Sequence, residues 1–147
     1  MAALKAWGLA VWLAAGAAQA QFEQLPAPRT SATPKASEAT TEEAYRVDAA
    51  RHLYAAYPQR IFKGRLPPFV YSVMMVQADI EADGKVAAVT VLRQPAADEV
   101  APWVVAMVRR AGPFPPPAKL GGARYVDIWL VDVSGQFQLD TLTEGQR

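Results

Sequence analysis

The single imidazole of the chain, His52, stands four residues after Asp48, a spacing that puts both side chains on one face of a helix. A carboxylate behind an imidazole orients it for general-base work. That chemistry also needs a nucleophile or a metal, and neither a Gly-x-Ser-x-Gly nor a His-Glu-x-x-His motif accompanies the pair. The pair reads as a solvated helix-surface contact, with catalysis through His52 and Asp48 as the enzymatic alternative. Asp79, Glu81 and Asp83 recur at every second residue, which on a strand lines up three carboxylates. Calcium asks for roughly six to eight oxygens on a folded-back loop, so this row reads as the wet face of a hairpin. With no Cys and 1 His, thiolate chemistry, disulfides and ordinary zinc sites are excluded or nearly so. No cofactor and no metal site are expected.

Basic residues are equally sparse in meaning. Lys and Arg total 15 against 14 acids, so no electrostatic footprint points to nucleic acid. Arg109-Arg110 and Arg124 read as a solvated helix end and a strand start. Tyr125 and Trp129 hold more interest, because they alternate with Val126, Ile128 and Leu130. If exposed, two aromatics on a late strand form a peptide-binding surface; if the first helix or the tail covers them, they are core. Both readings stand at this stage.

The elements that position these residues follow from periodicity. Thr40 to Glu43 has the Thr-x-x-Glu spacing of a capping box, and Ala44, Val47, Ala50, Leu53, Tyr54 and Tyr57 recur at helical steps before Pro58 stops the run. Val70 to Glu81 reads as a long strand with Met74, Val76, Ala78 and Ile80 on one face. Its first half, Phe69 to Val76, is apolar on both faces and calls for a cover. Asp83-Gly84 is a hairpin turn, Lys85 to Leu92 returns, and the broken alternation between Val86 and Val89 predicts a bulge. A second helix starts near Asp98, tolerates Pro102 in its opening turn, and buries Val100, Val104, Met107, Val108 and Ala111. Gly112-Pro113 ends it. Arg124 to Val133 is a third strand, and Gln136 to Leu139 a short fourth. The expected class is α+β: a small antiparallel sheet of three or four strands on two helices.

The first twenty residues have the pattern of a secretory signal. Lys5 is the only charge, Ala6 to Ala18 is apolar, and Ala18-Gln19-Ala20 fits the small-x-small cleavage rule. The apolar run is shorter than the roughly 17–25 residues of a spanning helix. A periplasmic location is therefore expected, with a retained inner-membrane anchor as the alternative. Residues 21–39, with Pro26, Pro28 and Pro34, read as a flexible linker. Residues 40–147 form the folded domain.

The stretch from Tyr57 to about Leu130 resembles the TonB C-terminal domain family. The correspondence runs through Tyr57-Pro58, then Met74-x-Val76-x-Ala78-x-Ile80, then Asp83-Gly84-x-Val86-x-x-Val89-x-Val91, the amphipathic helix, Phe114-x-Pro116 and the last alternating strand. The resemblance implies a TonB C-terminal-like fold and a non-enzymatic periplasmic module that binds an extended segment of an envelope protein by strand addition. It implies a partner such as a segment of an outer-membrane transporter, and no nucleic acid or small-molecule substrate. The accepting strand would match Arg124 to Val133, and the region matching Tyr57 to Gln59 would take part. Tyr57, Pro58, Tyr125, Asp127 and Trp129 are the expected contact residues. Pairing of two copies through an edge strand is a further option. With a retained anchor, the chain would be an accessory energy transducer for TonB-dependent outer-membrane transport.

Overall fold

The computed structural model describes residues 21–30 and 34–146; the expected signal segment lies outside them. Helix α1 spans Glu42–Ala56 and begins at Thr41, whose hydroxyl accepts the Ala44 amide at 3.1 Å. The cap thus sits one residue later than the Thr40–Glu43 spacing predicts; Ala50, Leu53 and Tyr57 are buried as the spacing predicts, and the difference lies at the head of the stripe. Tyr45, Ala49, Ala50, Leu53 and Ala56 face the core, while Ala44 is exposed. A tyrosine in place of an alanine at the head of the stripe buries far more apolar area, and the Tyr45 hydroxyl donates to the Pro115 carbonyl at 2.8 Å.

Strands β1 (Ser72–Glu81) and β2 (Val86–Arg93) form the expected hairpin, with irregular register between Asp79 and Ile80 that leaves Ala87 as the predicted bulge. Helix α2 (Val100–Arg110) buries the predicted stripe and adds Trp103. Strand β3 (Gly122–Val131) pairs with β1 along its full length, and β4 (Phe137–Leu139) pairs with the end of β3. The sheet is antiparallel in the order β2-β1-β3-β4. Chain order did not reveal that β1, the first strand, lies inside.

Both helices cover the same face of the sheet. Met74, Val76, Ala78 and Ile80 point into this core with Trp103, Met107, Leu53 and Phe114. The expectation of a cover over the start of β1 fails at Phe69, which is 91% exposed.

The segment ahead of α1 is a strap, where the sequence had suggested a flexible linker. Phe22 is buried, stacking on Tyr71 at 5.7 Å and meeting Trp103 edge-on at 5.1 Å. The Trp103 indole donates to the Gln24 carbonyl at 3.2 Å, and the Arg29 amide to the Ala56 carbonyl at 2.7 Å. Further on, the Ser37 amide donates to the Pro116 carbonyl at 3.0 Å. Proline content breaks helix and strand periodicity but does not prevent the chain from docking by one aromatic anchor and backbone bonds.

Candidate functional site

The expected contact residues are brought together only in part, and mostly in the interior. On β3, Tyr125, Asp127 and Trp129 face the helices, and each is at most 2% exposed. The reading that exposed them is corrected. Of the two faces of β3, the aromatic one fills the core, while Val126, Ile128 and Leu130 are half-buried on the sheet face that no helix covers among the described residues. Cross-strand pairing sets Val73 against Leu130 and Met75 against Ile128 on that bare face.

Asp127 tolerates burial because four donors converge on it. Its carboxylate accepts the Tyr125 hydroxyl at 2.7 Å, the Ile128 amide at 2.9 Å, the Thr141 amide at 3.2 Å and Nη2 of Arg46 at 3.3 Å. Burial and the adjacent carboxylate push the Tyr125 hydroxyl well above its ordinary range, so it stays a donor. Trp129 stacks on Phe137 of β4 with ring centres 4.4 Å apart.

Tyr57 is also interior, donating its hydroxyl to the Met107 carbonyl at 2.7 Å. Burial pushes that hydroxyl up to about 12. Pro58 alone of the five is exposed. It borders a cleft of about 230 Å³ whose far wall is the strap, at Pro26, Ala27 and Arg29.

The outer edge of β3, expected to accept a guest, is occupied by the chain itself at Arg124 and from Ile128 to Val131. Trp129 to Val131 pair with β4, and the Arg124 amide donates to the Glu42 carboxylate at 3.3 Å. The Ile128 amide is satisfied by Asp127. The far side of β4 is covered in turn by a parallel bridge from Ile61 to Phe137, with the Phe62 amide donating to the Phe137 carbonyl at 3.0 Å. No edge is left there for a fifth strand at these positions.

The opposite margin differs. Strand β2 has no partner beyond β1 among the described residues. Antiparallel ladders alternate between bonded and non-bonded pairs. The Glu81 amide bonds to the Lys85 carbonyl, so Asp79 and Gln77 bond to Ala88 and Thr90, and Val89 and Val91 turn their N–H and C=O groups outward. The strand contains no acid and no proline to discourage pairing. Sequence carried that signal in Val86 to Arg93, but chain order alone does not say which strand ends the sheet.

The other chemistry-bearing residues sit apart from one another. His52 and Asp48 share no hydrogen bond among the described residues. Nε2 of His52 lies 2.7 Å from the Ala111 carbonyl, as a donor in the tautomer that satisfies it, and Asp48 accepts the Ser37 hydroxyl at 2.6 Å. Burial holds the imidazole below its ordinary range. Asp79 accepts from Nε2 of the Gln77 side chain at 2.9 Å, and Asp83 pairs with Lys85 at 3.6 Å. Among the described residues no three His, Cys, Asp or Glu side chains gather as metal ligands do.

Comparison with family models, with curated proteins and with solved structures returns no match.

Proposed function

We propose that the domain is a non-enzymatic docking module of the cell envelope that takes an extended segment of a partner protein onto the free edge of β2. The observation that carries this reading is the outward-turned backbone of Val89 and Val91 on a strand without acid or proline. Backbone bonds hold such a guest, and its alternate side chains determine selectivity. The resemblance to the TonB C-terminal domain family and the signal-like pattern of residues 1–20 support a periplasmic setting. The accepting position moves from β3 to β2, because β4 and the side chains of Glu42 and Asp127 occupy the former.

The test uses a substitution that leaves the β1–β2 ladder bonds in place. Neither the Val89 nor the Val91 amide is donated to β1, so proline at either position breaks no bond to β1; both side chains pack against the core, so the urea midpoint of each variant is measured alongside capture. With an envelope extract, the wild-type chain should gain hydrogen-exchange protection at both amides. Val91→Pro should abolish capture of whatever confers it, whereas Val126→Thr on the bare face should not. Capture unaffected by proline at both positions would remove the β2 edge from consideration.

A further inference from the structure

The start of β2 opens into a groove of about 590 Å³ lined by Asp83, Lys85, Val86, Arg109, Gly112 and Pro113. The exposed Arg109 makes no ion pair among the described residues. Asp83, the one acid in the lining, is engaged by Lys85 at 3.6 Å and by the Lys85 amide at 3.0 Å. The groove adjoins Val86, the first residue of β2, so a guest strand that continued past that residue would be directed toward it. Val86 packs against the core with its side chain close to Gly112, giving the groove an apolar wall, and the exposed Arg109 lines it as well.

Resting on the strand-addition reading, we infer that the segment taken up by β2 carries a carboxylate at the end that reaches Arg109. A guanidinium with no partner offers a fork of donors that a carboxylate matches in two bonds. A lysine in the guest would meet Lys85 and Arg109 instead and be repelled. The carboxylate is that of an aspartate or glutamate side chain in the guest segment.

Four fluorescein-labelled threonine–valine heptapeptides distinguish a side-chain carboxylate from a C-terminal one in binding to the whole chain. Three have amidated ends and terminate in glutamate, glutamine or lysine; the fourth terminates in glutamine with a free carboxylate. The glutamate peptide should bind about 10-fold more tightly than its amidated glutamine twin, the margin between a charge-assisted and a neutral hydrogen bond. Equality of the free-carboxylate peptide with its amidated glutamine twin supports the side-chain assignment, and binding as tight as that of the glutamate peptide would overturn it in favour of the guest's C-terminus. Arg109→Gln, at an exposed site and with the wild-type circular dichroism expected, should erase the preference. Equal binding of the glutamate, glutamine and lysine peptides would overturn the carboxylate inference and leave strand addition standing. An Arg109-dependent preference that survives Val91→Pro would overturn strand addition while the groove remains a carboxylate site. Failure of all four peptides to bind would overturn both.

Discussion

Arg46 on α1 and Asp127 on β3 form an ion pair at 3.3 Å, with the carboxylate out of contact with water and the guanidinium partly in it. Arg46 also reaches Asp140 at 3.7 Å, just after β4. One cation thus ties helix, central sheet and tail together, and the tail is what closes the β3 edge. Replacing Asp127 leaves the Tyr125 hydroxyl, two amides and Arg46 without their shared acceptor. Asp127→Ala should lower stability by about 2–4 kcal/mol, read from the midpoint of urea unfolding. A loss within error of zero would show that water replaces the carboxylate at no cost.

Trp129 is a core residue, so its substitution acts on stability before it acts on any surface. Trp129→Ala should cost about 3–5 kcal/mol, whereas Ile128→Thr on the bare face should cost under about 1 kcal/mol. Denaturant titration of the two variants checks the orientation of β3 directly. The reverse ranking would turn the strand over.

The hairpin turn leans on the loop after α2. Gly84 has φ +93°, its carbonyl accepts the Phe114 amide at 2.8 Å, and a Cβ there would stand 2.1 Å from the Phe114 carbonyl oxygen. Gly84→Ala should therefore destabilise by more than about 2 kcal/mol. Gly145, with φ +85° and nothing within 4 Å of its virtual Cβ, should lose only about 1–2 kcal/mol on the same change. Thermal unfolding of the pair separates backbone strain, which both share, from collision, which only Gly84 suffers.

Acid should weaken the fold through His52. Its imidazole lies beside Phe114, ring centres 4.7 Å apart, and burial holds its pKa below the ordinary 6.5. The unfolded chain takes up a proton near that ordinary value, and the folded chain only at lower pH. Unfolding therefore binds a proton in that window, and stability falls as the pH drops through it. Below the folded value the loss levels off. His52→Gln, which keeps a donor for the Ala111 carbonyl, should remove this component from a series of urea midpoints between about pH 7.5 and 5. An unchanged series would place the sensitivity elsewhere.

What the amino-acid order determines here is local. Helical spacing, Pro58, Asp83-Gly84 and Gly112-Pro113 place both helices and the hairpin to within a residue or two, and the alternation of β1 identifies its buried face. The bulge at Ala87 is legible for the same reason, because a missed beat in a two-residue period has few other causes. The tertiary structure decides what local pattern leaves open. Strand β3 offers two faces, one aliphatic and one of Tyr125, Asp127 and Trp129, and hydropathy favours the wrong one. The aromatic face wins the core because it fills more volume, and because Arg46, Tyr125 and the Thr141 amide, from three separate elements, satisfy the one charge it brings. Sheet order is likewise a long-range result. Only when β3 has paired across β1, and β4 with Ile61 has closed the far side, is β2 the margin left open.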